Sequence, residues 1–187
     1  MGNLVLAFSM SLDGLVAGAD IGMDNPMGNG GEQLHAWMGS GDPVDAEALR
    51  AQHDRPGAVI LGRTTYDVGR RHWDGTPYPV PSFVLTHQDA APDPGFAFVR
   101  TGIGDALAEA SKAAAGRDIV VMGATVARQY LAAGLVDELA LQIVPILLGS
   151  GARLFDEGPA TALQMTEARA SPNAIHATYR PGTSRST

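Results

Sequence analysis

Two segments of the same form most constrain what this chain can fold into, since each places an apolar run, then a glycine, then the start of a helix. The first reads Val59-Ile60-Leu61-Gly62-Arg63-Thr64-Thr65, and the second reads Ile119-Val120-Val121-Met122-Gly123-Ala124-Thr125-Val126. Short apolar runs bounded by turn residues are typical of strands buried on both faces. Helices that alternate with such strands cross the sheet in a right-handed sense, so the middle of the chain predicts a partly parallel sheet.

The remaining patterns complete an α/β domain. Predicted strands cover residues 4–10, 57–61, 82–85, 96–99, 118–122, 136–144, 162–168 and 175–180. Predicted helices cover residues 32–38, 42–53, 105–115 and 125–133, and another opens at Thr64 with a capping-box spacing that ends at Asp67. The last two strands have no helix between them, which predicts antiparallel strands at one edge of a mixed sheet.

The domain organisation predicted from the sequence is simple. A length of 187 residues fits one domain, which we assign to residues 1–180, with a disordered tail at residues 181–187. Residues 13–31 are rich in glycine and predict a long loop. Gly149-Ser150-Gly151 predicts a turn after an apolar strand.

The composition argues against several classes of function. A formal charge of −7, with no cluster of Lys and Arg, argues against nucleic-acid and anionic-membrane partners. The absence of cysteine excludes thiolate catalysis and disulfides. The five histidines show no ligand spacing, so we expect no metal site. No apolar stretch is long enough to span a bilayer, so we expect a cytoplasmic protein.

The two glycine turns suit a phosphate-bearing ligand. The first amides of a helix lack intrahelical acceptors and carry partial positive charge, so they attract anions. Ligands of open α/β sheets lie beyond the carboxyl ends of the parallel strands, where two such turns could hold the two ends of one dinucleotide. Gly62 lets a ligand approach the backbone, and Arg63, Thr64 and Thr65 offer hydrogen bonds. The same residues also serve ordinary tight turns and helix caps, so the pattern alone leaves both interpretations open.

Two acidic residues are candidates for catalysis. Asp13 follows the first strand in Ser11-Leu12-Asp13-Gly14, where it could relay a proton or accept a hydrogen bond from a substrate. A plain Asp-Gly turn explains the same residues. Glu32 lies on the short helix after the loop, three residues before His35. The two side chains could face one side of that helix, and a solvated face explains them equally well.

Taken in chain order, these segments resemble the dihydrofolate-reductase-like family, and above all its branch named for the C-terminal reductase domain of bacterial riboflavin-biosynthesis proteins. The resemblance spans about residues 3–180 and rests on an ordered set of short motifs. They are the turn at Asp13, Gly62-Arg63-Thr64-Thr65-Tyr66, Val84-Leu85-Thr86, Met122-Gly123-Ala124, and Pro145-Ile146-Leu147-Leu148-Gly149-Ser150-Gly151.

The resemblance implies a mixed, mostly parallel sheet of about eight strands flanked by helices. It also implies a homodimer that transfers a hydride from NADPH to a pteridine- or pyrimidine-like heterocycle. By carry-over, the cofactor-binding residues are Ser9, Val16, Gly62, Arg63, Thr64, Thr65, Thr86, His87, Met122, Gly123, Ala124, Thr125 and Val126.

Two departures from the family pattern bear on function. The family usually has a second glycine where this chain has Met122. The position that aligns with the catalytic carboxylate of dihydrofolate reductases falls near Leu34, with Glu32 close by. Two alternatives to an NADPH-dependent reductase therefore stay open: a catalytically inactive dimeric domain of the same fold, and a reductase that uses another nucleotide cofactor such as a flavin.

Overall fold

The computed structural model describes residues 2–155 and 160–182. Its strands, numbered in chain order, are β1 Leu4–Ser11, β2 Leu15–Gly18, β3 Pro56–Gly62, β4 Ser82–Leu85, β5 Phe96–Val99, β6 Asp118–Met122, β7 Glu138–Val144, β8 Gly151–Arg153, β9 Leu163–Ala170 and β10 Ile175–Pro181. Its helices are α1 Pro43–Asp54, α2 Arg63–Gly69, α3 Ile103–Ala113 and α4 Ala124–Ala132, with a 3-10 helix at Gly31–Gly39.

An eight-stranded sheet with the order β5-β4-β3-β6-β1-β7-β10-β9 forms the centre of the domain. The six strands from β5 to β7 run parallel, whereas β10 pairs antiparallel with both β7 and β9. The prediction of a mixed, mostly parallel α/β sheet with antiparallel strands at one edge is confirmed.

The two faces of the sheet bury different groups of helices. Alternate residues of β3 point to opposite faces. Ala58 and Ile60 share a core cluster with residues of α3 and α4, whereas Val59 and Leu61 share another with Tyr66 of α2. On that second face the 3-10 helix buries Leu34 and Trp37 beside β7. The sheet is therefore covered on both faces, as a parallel sheet requires.

The two helix starts predicted from capping residues have different outcomes. Helix α1 begins as expected, because the Asp42 side chain accepts a hydrogen bond of 2.8 Å from the Val44 amide. The capping box at Thr64 is wrong, since α2 begins one residue earlier with Gly62 as N-cap and has no side-chain cap. Asp67 instead pairs with Arg63 one turn away, at 2.8 Å.

Two short strands were not predicted from the sequence: β2 lies within the predicted long loop, and β8 begins at the last residue of the predicted turn. Strand β2 lies within residues 13–31 and pairs with β8, which includes Gly151. A Cβ on Gly151 would lie 2.0 Å from the Ala17 carbonyl oxygen, so glycine permits this close approach. The pairing joins segments far apart in the chain, and for that reason no local pattern indicated it.

Strand β10 reaches Pro181, and residues 183–187 of the predicted tail lie outside the described residues. In the part of the chain that the structure describes, no helix is long and apolar enough to cross a membrane.

Candidate functional site

Gly62 and Gly123 lie side by side at the carboxyl ends of adjacent parallel strands. Leu61 pairs with Met122 in the β3–β6 register, and the two glycines are the next residues. Gly123 has a φ of 95° and a ψ of 127°, a conformation that L side chains rarely adopt. A Cβ there would lie 2.5 Å from Thr65 Oγ1. We call the carboxyl ends of β4, β3, β6 and β1, with the residues just after them, the glycine edge.

Arg63 places at the glycine edge a guanidinium that is paired through Nε but not through Nη1. Its Nε donates to both carboxylate oxygens of Asp67, at 2.8 and 2.9 Å, and its guanidinium lies over the Tyr66 ring. Its Nη1 is buried and has no hydrogen-bond partner among the described residues. A buried N–H without a partner is costly, and a phosphate oxygen is the kind of acceptor that would satisfy it.

The other residues predicted at the first turn and on β4 follow the same edge. Thr65 is half-buried against Gly123, and Thr64 is exposed. Thr86, directly after β4, is buried, and its hydroxyl accepts a hydrogen bond of 3.1 Å from the Gln88 amide. His87 is exposed. Thr64, Thr65, Thr86 and His87 thus follow the carboxyl ends of β3 and β4, and their role in cofactor binding stays a prediction.

The second turn presents a mixture of buried and exposed side chains. Val126 is buried, and a Cβ on Gly62 would lie 3.0 Å from its Cγ2. Ala124 is half-buried, and Thr125 is exposed. Met122, where the family usually has glycine, packs partly buried in the core cluster of Leu61 and Tyr66.

Ser9 and Val16, both predicted to bind the cofactor, lie on β1 and β2. Both are almost fully buried, with exposed fractions of 7% and 8%. Val16 packs in the main apolar core cluster. The Ser9 hydroxyl accepts a hydrogen bond of 2.9 Å from the Trp37 indole N–H.

Asp13 joins the turn after β1 to the loop after β7. Its carboxylate accepts hydrogen bonds from the Ser11 hydroxyl at 2.5 Å, the Leu148 amide at 3.2 Å and the Gly149 amide at 2.7 Å. These hydrogen bonds, that from Ser11 above all, lower the pKa of Asp13 to about 2. At neutral pH the carboxylate is ionised and accepts protons in hydrogen bonds rather than giving one away.

Glu32 has a different setting. It lies in the first turn of the 3-10 helix, is exposed, and forms no hydrogen bond or ion pair with the residues that the structure describes. Leu34, near which the aligned carboxylate position falls, is fully buried in an apolar cluster with Trp37. The Leu34 side chain has no group that could carry acid–base chemistry.

A row of polar side chains crosses three strands beside the glycine edge. Ser9 pairs with Gln142 in the β1–β7 register, and Gln142 pairs with His176 in the β7–β10 register. All three residues are buried. Trp37 covers both ends, since its indole donates to Ser9 and its ring meets the His176 imidazole edge-on at 5.0 Å between centroids. We call Ser9, Gln142 and His176 the polar row.

Asp45 is the buried carboxylate that sequence reasoning missed. It lies in the first turn of α1 with an exposed fraction of 1%, and its Oδ1 is 2.7 Å from His176 Nε2. Its Oδ2 accepts hydrogen bonds from the Ser40 hydroxyl at 2.6 Å and from the side-chain Nδ2 of Asn173 at 2.8 Å. Burial acts to raise the pKa of Asp45, but hydrogen bonds from Ser40 and His176 outweigh it and keep that pKa well below its usual value.

A sequence signal for Asp45 exists in the phase of its helix. Asp45, Ala48 and Gln52 recur at three- and four-residue spacing, so an acid occupies the inward stripe of α1. From the sequence, Asp45 is predicted only to lie in the first turn of the helix over residues 42–53. His176 carried no comparable signal, because its contact with Asp45 depends on tertiary packing. Across residues 2–155 and 160–182, no group of three or more His, Asp or Glu side chains is placed to hold a metal ion.

Solved structures of three proteins share this fold. A putative riboflavin biosynthesis protein from Shewanella sp. PV-4 aligns with a TM-score of 0.76 and 23% identity over 98% of this chain and 100% of that one. A pyrimidine reductase-like protein from Corynebacterium diphtheriae aligns with a TM-score of 0.65 and 17% identity, over 97% of this chain and 92% of that one. Dihydrofolate reductase from Enterococcus faecalis, complexed with NADP(H) and RAB-propyl, aligns with a TM-score of 0.61 and 16% identity. The alignment covers 97% of this chain and 98% of that one. These likenesses establish the dihydrofolate-reductase-like fold.

Sequence comparison identifies the family. The uncharacterized protein YwjB of Bacillus subtilis is 26% identical over 155 residues, which make up 82% of this chain and 82% of that protein. The family model described as the RibD C-terminal domain matches residues 3–177, nearly the whole chain. The resemblance inferred from the ordered motifs is thus confirmed, and the chain belongs to the RibD C-terminal domain family.

Proposed function

We propose that this chain is an oxidoreductase that binds NADPH at the glycine edge and reduces a small pteridine- or pyrimidine-like heterocycle. The observation that carries the proposal is the side-by-side placement of Gly62 and Gly123, the second held at a φ of 95° with no room for a side chain. Open α/β sheets bind nucleotides beyond the carboxyl ends of their parallel strands, where glycines leave the backbone without side chains. Family membership and a structural neighbour solved in complex with NADP(H) support the same proposal.

The residues at this edge fit a phosphate-bearing cofactor. Arg63 offers a buried, unpaired N–H for a phosphate oxygen, and the first amides of the nine-residue α4 point toward the same turn. The Thr65 hydroxyl faces Gly123 between the two turns. When bound, NADPH would supply a hydride to an electron-poor carbon of the substrate. The chain's own residues would hold the phosphates, and Trp37 would keep water from the polar row.

Asp13 and Glu32 remain the candidate catalytic residues, with different roles. Asp13 is ionised and anchored to the loop after β7, so we expect it to position the turn after β1. Glu32 is free of partners among the described residues and can reach a substrate as a proton donor or acceptor. Glu32→Gln should then lower kcat with little change in NADPH affinity. Asp13→Asn should lower both kcat and the affinity for NADPH.

A binding titration tests the proposal. NADPH added to the purified protein should change the fluorescence of Trp37 and Trp73 and saturate below millimolar concentration. Arg63→Gln should weaken binding by about tenfold, because a charged hydrogen bond is worth about 1.5–3 kcal/mol. Arg71→Gln is the matched control, since Arg71 is exposed and makes no hydrogen bond or ion pair within residues 2–155 and 160–182. Absence of saturable binding, or equal loss in both variants, would refute the proposal.

The same preparation separates the two alternatives. Substrate-dependent oxidation of NADPH that Arg63→Gln weakens would exclude an inactive domain. A yellow absorbance band in the protein as purified would favour a flavin over NADPH. We also propose a cytoplasmic location, in keeping with a cofactor that cells hold there in reduced form.

We propose a homodimer as the working form of the protein. The edge strand β9 has all eight residues exposed, and its Leu163 and Met165 expose 44% and 58% of their surface. An exposed edge strand with apolar side chains is a template for pairing. Light scattering should give twice the chain mass, and Met165→Lys should shift the protein toward monomer, whereas Gln129→Lys, at an exposed position of α4, should not. A monomer in the unaltered protein would refute this part of the proposal.

A further inference from the structure

The guanidinium of Arg63 is held by two neighbouring side chains of α2. Its Cζ lies over the Tyr66 ring, 5.9 Å from the ring centroid, within the distance at which the face of an aromatic ring attracts a cation. Its Nε donates to both carboxylate oxygens of Asp67, at 2.8 and 2.9 Å. A long side chain loses rotamer freedom when it is fixed, so these two contacts restrict Arg63 before any ligand binds.

The Tyr66 ring is in turn held by the edge strand β5. Phe96 and Phe98 both meet it edge-on, with 5.1 and 5.2 Å between ring centroids. Residues two apart in a strand point to the same face of the sheet, so both contacts come from the face that α2 covers. Edge-to-face aromatic pairs of this kind are favourable. The ring on which Arg63 lies is thereby fixed to the sheet as well as to α2.

The Tyr66 hydroxyl is fixed separately, in the connection between β4 and β5. It donates a hydrogen bond of 2.9 Å to the Asp93 carboxylate, which Arg70 also binds through Nε at 2.6 Å and Nη2 at 3.2 Å. Burial and the hydrogen bond to Asp93 both raise the pKa of Tyr66, so the hydroxyl stays protonated at neutral pH and donates. Contacts at both the ring and the hydroxyl therefore hold Tyr66 in one orientation.

Arg63 and Arg70 differ in how completely they are paired. Arg70 lies over the Phe96 ring at 5.8 Å and binds Asp93 through two nitrogen atoms. Arg63 is paired through Nε, but its Nη1 is buried and has no hydrogen-bond partner in the described part of the chain. Holding α2 against the sheet accounts for the contacts of Arg70, whereas it leaves a buried N–H of Arg63 unsatisfied at a cost. The contacts around Arg63 therefore suit a further acceptor that a ligand supplies.

We infer that Tyr66 is a positioning residue for cofactor binding, because its ring holds the Arg63 guanidinium in place while Nη1 stays available to a phosphate oxygen. The inference rests on the proposed binding of NADPH at the glycine edge and extends it to a residue that acts through Arg63. A side chain that is already ordered loses less freedom when the cofactor binds, so the affinity for NADPH is higher.

The test is a calorimetric titration with NADPH of variants at Tyr66, made both in the unaltered protein and in Arg63→Gln. Tyr66→Leu removes the ring and should weaken binding about fivefold, in line with a partly exposed cation–π contact. Tyr66→Phe should restore binding to within about twofold of the unaltered protein, because it keeps the ring and leaves Arg70 on Asp93. In Arg63→Gln, Tyr66→Leu should cause no further loss, since the guanidinium that the ring holds is gone.

The double variant distinguishes positioning from a general effect on the fold. A structural role of Tyr66 would weaken binding by the same factor with or without Arg63, and that result would overturn the inference. Equal losses in Tyr66→Phe and Tyr66→Leu would overturn it too. Tyr66→Gln, which removes the ring but keeps a donor for Asp93, replaces Tyr66→Leu should the latter fail to fold.

Failure of this inference differs from failure of the proposed function. Absence of NADPH binding to the unaltered protein would refute both. Saturable binding that Arg63→Gln weakens, together with an equal effect of Tyr66→Leu in both backgrounds, would refute the role of Tyr66 alone.

Discussion

Replacing Gly123 by alanine tests the central feature of the site, the bare backbone where β6 meets α4. At a φ of 95° and a ψ of 127° a side chain strains the backbone by about 1–3 kcal/mol. The added Cβ would also lie 2.5 Å from Thr65 Oγ1, and relief of such overpacking costs about 1–3 kcal/mol. We therefore expect Gly123→Ala to lower the free energy of unfolding by at least about 2 kcal/mol. For a domain of this size that lowers Tm by roughly 4–8 °C.

A double-mutant cycle separates the two costs. Thr65→Ala removes the hydroxyl that the new methyl group would meet but leaves the backbone strain in place. Denaturant unfolding of the two single variants and the double variant should therefore show a coupling of about 1 kcal/mol, with the double variant less damaged than the sum of the singles. Gly134→Ala, at another positive φ where a Cβ meets nothing within 4 Å, is a control for strain without contact. An unfolding free energy of Gly123→Ala within about 0.5 kcal/mol of the unaltered protein would refute the reasoning.

The remaining predictions concern the acidic residues. The folded-state pKa of Asp13, about 2, lies below the usual 3.8, so its carboxylate stabilises the fold above about pH 4 and this contribution is lost as pH falls toward 2. Asp13→Asn should therefore lower Tm at neutral pH and make the fall in Tm between about pH 4 and 2 shallower; an unchanged acid profile would contradict this. Asp45→Ala removes the acceptor of the buried His176 Nε2, of the Ser40 hydroxyl and of the Asn173 side-chain amide. It should cost about 3–5 kcal/mol in urea unfolding, against about 1 kcal/mol for the N-cap variant Asp42→Ala, and equal losses would refute a stabilising role for this network. Glu32→Gln, at an exposed position without partners in the described chain, should leave the unfolding free energy within about 0.5 kcal/mol, and a larger loss would show that Glu32 has a structural role.

Much of the fold could be predicted because its signals are local. Apolar runs bounded by glycine, such as the one ending at Gly62, indicate buried strands whatever their partners are. Asp42 and Pro43 mark the start of α1 in the same local way. Strands β2 and β8 could not be predicted, since each is short and is stabilised by a partner far along the chain.

The same distinction between local signals and tertiary contacts applies to the candidate site. Gly62 and Gly123 could be proposed from the sequence because the turn that each residue forms is a local feature. Asp45 and His176 were missed because their contact depends on how α1 lies across the sheet and on the β7–β10 register. An acid in the first turn of a helix is usually a dipole or capping residue, and only the tertiary structure shows that this one faces inward.

The position of β1 in the sheet sets the order in which the chain can fold as it is synthesised. Leu4 pairs with Ile119, and Ser11 pairs with Val144, so both partners of β1 follow it more than 100 residues later in the chain. Contacts of such long sequence separation slow folding. Until β6 has emerged, β1 has open edges on both sides, and one edge stays open until residue 144 has emerged. We therefore expect nascent chains that stop before β7 to be captured by chaperones, and folding to be completed only after synthesis has passed that strand.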